Sequence, residues 1–180
     1  MVEPQRDLMF YEGREMYNNW EDARLLYLAK AALFLDDLDL LVYTFERWRH
    51  ILPMRMTDQG ELPRETMRTR SMTYTLGALT HTTQLAEIAR QMGEDLYDLT
   101  VNGKCLKTAV DYVAHYLLHL DQWPHKLIKP LEEEFAERSP PLALFELAHT
   151  RWGDRKYLDV IDAWGGRPIT QHHATLLYGT

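Results

Sequence analysis

The sequence predicts an all-α protein built from antiparallel helical hairpins, and two observations support this prediction. Apolar residues recur at spacings of three and four, as in Leu25, Leu28, Ala32 and Leu35, which is the period of an amphipathic helix. Strand-like alternation of apolar and polar residues never persists beyond a few positions. The 180 residues, 46% of them apolar, suffice for one domain with a sizeable core.

The predicted helices follow one another with loops of uneven length, a pattern typical of bundles and of helical hairpins that curl around a centre. The first begins after Asn18 or Asn19, either of which can cap it, and it ends at Asp36-Asp37. The others are expected at about residues 38–52, 64–92, 104–120, 142–152 and 157–164, with stops at Pro53, Gly93, Trp123-Pro124 and Gly165-Gly166. Residues 127–135 fit either a helix or irregular chain. We expect a lead-in segment at 1–16, one helical domain at 17–166 and a tail at 167–180.

The overall charge limits the classes of partner. A net charge of −7 argues against a general nucleic-acid or membrane-surface binder. The single cysteine, Cys105, excludes an intrachain disulfide framework and a cysteine-rich zinc module. The N-terminal residues lack the pattern of a signal peptide, and no later run approaches ~18 apolar residues. We therefore expect no nucleic acid and no membrane among the partners.

The stretch from Asp58 to Tyr74 has the composition of an anion-binding site. A polar loop leads into the predicted third helix, whose start carries Arg64, Arg68 and Arg70. In a helix, Arg70 and Tyr74 would share one face. The same stripe would continue to His81 two turns later, so three groups able to handle an acidic, proton-bearing substrate would line up.

Two other clusters carry less weight. His115 and His119 have the i, i+4 spacing of metal ligands, but no third ligand is evident nearby, so we expect no metal and no cofactor. The run of glutamates at 132–134 is expected to be a solvated helix face.

Several segments together resemble the alginate lyase superfamily of polysaccharide lyases, and the resemblance covers roughly residues 15 to 164. The segments, in chain order, are Asn18-Asn19-Trp20, Gly60-Glu61-Leu62-Pro63-Arg64-Glu65, Arg68-Thr69-Arg70-Ser71-Met72-Thr73-Tyr74, Leu85-Ala86-Glu87-Ile88-Ala89, Gly93-Glu94-Asp95-Leu96-Tyr97, Trp123-Pro124-His125-Lys126 and Tyr157-Leu158. Two departures stand out. The best-known branch has Asn-Asn-His where this chain has Asn-Asn-Trp, and family domains are about twice as long.

The resemblance implies an (α/α) toroid, of which this chain would form the C-terminal half as an incomplete ring. The open flank would be covered by a missing N-terminal half or by a second copy of the chain. The resemblance also implies a periplasmic or secreted lyase that cleaves an acidic, uronate-containing polysaccharide such as alginate by β-elimination.

The family pattern also implies roles for particular residues. Tyr74 corresponds to the catalytic tyrosine, acting as base, acid or both, and Asn19 to the amide that helps neutralise the substrate carboxylate. Arg68 or Arg70 would support them by favouring the phenolate. His81 is a hypothetical substitute for the absent histidine, whose place is taken by Trp20.

Substrate binding is assigned to four further residues, namely Asn18, Trp20, Arg64 and Trp123, with Trp20 as a stacking platform for a sugar ring. Structural roles compete with these assignments. Tyr74 and His81 fit the boundary of the core, the arginines fit a solvated helix start balanced by Glu61 and Glu65, and the asparagines fit a plain helix cap. Two other functions also stay open: a truncated domain that binds glycans or a partner without catalysis, and a generic helical scaffold.

Overall fold

The computed structural model describes residues 17–137 and 142–166, whose regular secondary structure is helical apart from one small ribbon. The α-helices are α1 (Asn19–Leu35), α2 (Leu38–Arg55), α3 (Pro63–Thr66), α4 (Ser71–Gln91), α5 (Leu106–Leu118), α6 (Leu131–Glu137), α7 (Leu142–Trp152) and α8 (Arg155–Trp164). A 3-10 turn spans Leu120–Gln122. The predicted lead-in segment at 1–16 and the predicted tail at 167–180 lie outside the described residues.

The first hairpin forms as its polar residues predict. The side chain of Asn18 accepts a hydrogen bond from the backbone N–H of Trp20 and caps α1. Asp36 then takes the left-handed conformation, with φ of 56°, and Asp37 caps α2 by accepting from the N–H of Leu40 at 3.0 Å. Two aspartates therefore make the tight turn that brings α2 back along α1.

The prediction that Pro53 ends the second helix is wrong, because α2 continues through it to Arg55. A proline near the end of a helix removes only one backbone hydrogen bond. The carbonyl of Pro53 accepts a hydrogen bond from Lys104 Nζ at 2.9 Å, and Arg55 pairs with the buried Asp22 on α1. These two contacts hold the last turn in place.

The predicted third helix is interrupted, and this correction matters most for the site. The expected helix at 64–92 is two helices, the single turn α3 and the long α4, joined by residues 67–70. Arg70 forms a β-bridge with Leu127, and the Ser71 hydroxyl donates to the carbonyl of Lys126 at 2.8 Å. These tertiary contacts hold the backbone before α4 out of the helical conformation.

Helix α4 is the centre of the described fold. It packs against α1 on one side and against α5 and α7 on others, and it buries an almost continuous apolar and threonine-rich surface. The predicted stop at Gly93 is confirmed, since this residue follows the helix cap with φ of 86°. The remaining hairpin, α7 and α8, matches its predicted position closely and ends as expected at Gly165-Gly166.

Two local features depart from a purely helical chain. Residues Asn102 and Gly103, with φ of 52° and 76°, form the turn of an antiparallel ribbon between β1 (Thr100–Val101) and β2 (Lys104–Cys105), so α5 begins two residues later than predicted. Gly60 has φ of 91° and lies so close to α5 that a Cβ there would be 2.3 Å from the Thr108 carbonyl oxygen. The loop before α3 is therefore fixed against α5.

The first hairpin turn carries exposed apolar side chains. Phe34 is 89% exposed, and Leu35, Leu38 and Val42 are also more than half exposed. Among the described residues, no helix is both long and apolar enough to cross a membrane.

Candidate functional site

The candidate site lies where the start of α1, the loop at 67–70 and the first turn of α4 meet. Asn19 is the first residue of α1, Arg68 lies in the loop, and Tyr74 lies on the first turn of α4, its backbone N–H bonded to the carbonyl of Arg70. Asn19 and Tyr74 are 55 positions apart in sequence. The packing of α1 on α4 brings them to one place.

Arg68 connects Asn19 to Tyr74. Its Nη1 donates a hydrogen bond to the side-chain Oδ1 of Asn19 at 2.9 Å. Its guanidinium carbon lies 3.3 Å from the centre of the Tyr74 ring, a contact in which the cation meets the electron-rich face of the phenol. Because Oδ1 of Asn19 is engaged by Arg68, the NH₂ group of the amide remains as the donor for an anion.

The interrupted helix makes this arrangement feasible. In a continuous helix, Arg68 and Tyr74 would be six residues apart and would point away from each other. The non-helical loop lets Arg68 turn back over the ring instead. The guanidinium and the phenol are both partly exposed, so a solute could reach them.

A buried carboxylate lies directly behind these groups. Glu65 is 1% exposed, and its Oε1 accepts the backbone N–H of Asn19 at 2.7 Å. Its Oε2 lies 3.4 Å from Arg68 Nη1. Burial raises the pKa of the Glu65 carboxyl against the opposing influence of the Asn19 N–H, Arg55 and Arg68.

A buried ion pair between Asp22 and Arg55 lies next to Glu65, and its Arg55 favours the charged form of the Glu65 carboxyl. The carboxylate of Asp22 is bound by both terminal nitrogens of Arg55 and by the Thr82 hydroxyl, which donates at 3.1 Å. Burial raises the pKa of Asp22 to about 7, although Arg55 and Thr82 oppose the rise. Neither Glu65 nor Asp22 was predicted as part of the site. Glu65 does balance Arg68, as the alternative interpretation of the arginines had it, but it does so from a buried position.

Arg70 is directed elsewhere. It is the residue before α4, and its Nε lies 3.5 Å from Oε1 of Glu134 on α6. The hydroxyl of Thr73 also donates to Glu134. The expectation of a solvated glutamate face at 132–134 therefore holds for Glu132 and Glu133, which are exposed, but is wrong for Glu134, which is buried.

His81 lies two turns further along α4, about 10 Å from Tyr74 at 1.5 Å per residue. Its ring packs near that of Tyr27, with centroids 6.4 Å apart, and its buried Nδ1 has no hydrogen-bond partner among the described residues. Burial, together with Lys30, lowers the pKa of His81. No described contact links it to Tyr74, so its catalytic role stays a prediction without geometric support.

The residues predicted to bind substrate fall into two groups. Trp20 is 66% exposed beside Asn19, Asn18 caps the same helix, and Arg64 is exposed on α3 with its guanidinium over the Tyr17 ring at 5.2 Å. Trp123, in contrast, is only 8% exposed, and its Nε1 donates to the Ser71 hydroxyl at 2.8 Å. It braces the start of α4 from inside.

Near Trp123 lies a polar cluster that the sequence did not indicate. His125 Nε2 is 3.3 Å from Oε1 of Glu61 and 3.4 Å from the Tyr112 hydroxyl. Thr66 also donates to Glu61. The cluster ties the loop before α3 to the segment after α5. Its residues come from three distant parts of the chain, so local spacing could not reveal it.

His115 and His119, the pair with metal-ligand spacing, pack against each other with ring centroids 4.9 Å apart. Within the described ranges, however, no group of three or more His, Cys, Asp or Glu side chains is placed to hold a metal ion.

Comparison with known proteins identifies the fold. One solved structure, an alginate lyase from Bacteroides ovatus, superposes with a TM-score of 0.79 at 22% identity, covering 93% of this chain and 44% of that one. A second, the apo form of a histidine-to-alanine variant of alginate lyase A1-III, gives a TM-score of 0.65 at 22% identity, covering 76% and 39% of the two chains. This chain therefore spans less than half the length of either structure. No curated protein matches it.

The chain is thus an all-α protein of the toroid class, whose antiparallel hairpins form part of an (α/α) ring. The alginate lyase family model matches residues 7–123, and the chain belongs to that family.

Proposed function

We propose that this protein is a polysaccharide lyase that cleaves a uronic-acid-containing polymer such as alginate by β-elimination. Family membership supports the reaction class. One observation carries the assignment to particular residues, namely that Arg68 contacts the amide of Asn19 and the ring of Tyr74 at the same time.

The reaction makes two demands on the site. The proton alpha to the uronate carboxylate is weakly acidic, because its removal adds charge to a group that is already negative. Donors must therefore neutralise that carboxylate, and preorganised donors aimed at developing charge are usually the largest single contribution to catalysis. The NH₂ of Asn19, which makes no hydrogen bond to the described residues, and the partly exposed guanidinium of Arg68 are suited to this role.

The second demand is a base for that proton and an acid for the leaving 4-oxygen. Tyr74 is the proposed group for one or both steps, since its ring lies against Arg68, which in turn donates to Asn19. The phenolate oxygen would take the alpha proton, the electron pair would form the double bond, and the C4–O bond would break. The departing oxygen would then receive a proton from the phenol or from water.

The remaining assignments belong to the same proposal. Trp20 would stack against a sugar ring through its exposed indole, and Asn18 and Arg64, whose guanidinium lies over the Tyr17 ring, would add polar contacts to the substrate. Trp123 and Arg70 would act from behind by fixing the start of α4. We propose acidic polysaccharide as the substrate, a periplasmic or secreted location, and coverage of the open flank by further chain or by a second copy.

A second candidate function is glycan binding without turnover. The exposed Trp20 favours it, because an indole stands where the family pattern has a proton-handling histidine. An aromatic platform beside an amide and a guanidinium would bind a uronate chain whether or not elimination follows.

One assay distinguishes the two functions. The purified protein is incubated with polymannuronate, polyguluronate and a glucuronate polymer while the ultraviolet absorbance of the unsaturated product is followed. We expect absorbance to rise with at least one polymer and Tyr74→Phe to reduce the rate by at least about 100-fold, with helicity unchanged by circular dichroism. Binding without any rise in absorbance would favour the second function, and full activity in the variant would exclude Tyr74 as the catalytic group.

A further inference from the structure

We infer that Glu65 is a positioning residue for the proposed elimination: its buried carboxylate holds Asn19 and Arg68 in the geometry that presents them beside Tyr74. This inference rests on the proposed function. Glu65 is 1% exposed, so it lies behind the groups that would touch a substrate.

The geometry is a closed circuit of three residues. The backbone N–H of Asn19 donates to Oε1 of Glu65 at 2.7 Å, and Oε2 of Glu65 lies 3.4 Å from Arg68 Nη1. That same Nη1 donates to Oδ1 of Asn19 at 2.9 Å. Glu65 therefore holds the backbone of one proposed donor and the cation of the other.

The circuit requires a carboxylate rather than a side chain of similar shape. Both oxygens of Glu65 accept from N–H donors, so a glutamine would turn its own NH₂ toward either Asn19 or Arg68. Two donors would then face each other in a buried place. An aspartate, shorter by one methylene, could not reach both partners at these distances.

The surrounding charges explain how a buried carboxylate can stay ionised. Arg68 from the loop and Arg55 from α2 both favour its charged form, as does the N–H of Asn19 from α1. The carboxylate of Asp22, also on α1, interacts unfavourably with Glu65, but it is itself bound by Arg55. Protonation of Glu65 would weaken its contact with Arg68 and loosen the circuit.

The test compares Glu65→Gln with Glu46→Gln, a matched change at an exposed carboxylate on α2 that pairs with Arg49. On the polymer that the wild type cleaves, we expect kcat of Glu65→Gln to fall roughly 10- to 100-fold, as small misplacements of catalytic groups do, with a smaller change in KM. Glu46→Gln should keep both constants. The wild-type kcat should also decline at low pH as Glu65 takes up a proton, and Glu65→Gln should lack that part of the decline while keeping any decline that comes from other groups.

A second measurement keeps the inference testable if Glu65→Gln does not fold. The backbone amide of Asn19 in ¹⁵N-labelled wild type should shift with pH in step with the acid limb of kcat, because its acceptor is being protonated. An amide that does not follow that limb would overturn the inference, as would unchanged kcat in a folded Glu65→Gln. Absence of cleavage by the wild type would instead overturn the proposed function and the inference with it.

Discussion

The guanidinium carbon of Arg68 lies 3.3 Å from the centre of the Tyr74 ring while Nη1 of Arg68 donates to Asn19. One flat cation therefore meets a phenol face and an amide oxygen together. Asn19 begins α1 and Tyr74 lies on α4, so these two residues belong to different helices that pack together. Arg68 lies in the loop between α3 and α4.

The flat shape of Arg68 leads to the first prediction. Arg68→Lys keeps the charge but loses both the planar contact with Tyr74 and the fork that reaches Asn19. We expect lyase activity to fall at least about tenfold, the loss expected when about 1.4 kcal/mol of transition-state stabilisation is removed. Arg90→Lys, at an exposed arginine on α4 paired with Glu87, is the control and should keep full activity. Equal rates in the two variants would contradict a specific role for the guanidinium.

The buried pair of Asp22 and Arg55 leads to a prediction about stability. Arg55→Met leaves the Asp22 carboxylate buried without its main partner, a change that typically costs about 3–5 kcal/mol. Urea denaturation should show a loss of that order in the free energy of unfolding. The comparison is Arg155→Met, which removes an exposed pair with Asp159 and should cost less than about 1 kcal/mol. Similar losses in both variants would show that the buried pair contributes no more than a surface one.

His81 should make stability depend on pH. Burial lowers its pKa below the usual 6.5, so the unfolded chain binds a proton at a higher pH than the folded chain does. Its contribution to the free energy of unfolding is therefore complete above pH 6.5 and is lost as the pH falls below 6.5 and through the folded pKa. Urea unfolding at several pH values should show this loss in the wild type and in the His50→Gln control but not in His81→Gln. NMR titration of the His81 ring at or above 6.5 would contradict the prediction.

Trp20 should affect binding far more than folding. Its indole is largely exposed, so Trp20→Ala removes little packing. It should therefore lower the melting temperature less than a truncation in the core does. If the ring stacks on a sugar, the affinity for uronate oligomers should fall by about 1 kcal/mol or more. Calorimetric titration measures the loss, and Trp20→Phe should recover part of it. Unchanged affinity in Trp20→Ala would remove the stacking role.

Much of the fold follows from local patterns. Asn18, Asp36 and Asp37 mark the first hairpin because their side chains and backbone preferences act within a few residues. Gly93 ends α4 for a similar local reason. The errors occur where contacts between distant parts of the chain decide the local structure. Lys104 donates a hydrogen bond to the carbonyl of Pro53, inside a helix predicted to end there. Ser71 donates to the carbonyl of Lys126 at the position where α4 begins, later than predicted.

The candidate site divides in the same way. Asn19, Arg68 and Tyr74 could be nominated from a family resemblance, and the structure brings them together. Glu65 and Asp22 could not, because a carboxylate on a short helix or in a first turn usually faces water. Asp22 is buried where α1 meets Arg55 of α2 and Thr82 of α4, and Glu65 is buried where α3 meets the start of α1. Nothing in the spacing of charges predicts these contacts.

The tight approach of Gly60 to the carbonyl of Thr108 has a practical consequence for engineering. When the loop before α3 is randomised and folded variants are selected, nearly all of them should have glycine at position 60. A Cβ at this position would collide with the backbone of α5. Loop redesign aimed at a new substrate should therefore leave that position untouched and vary its exposed neighbours Asp58 and Gln59 instead.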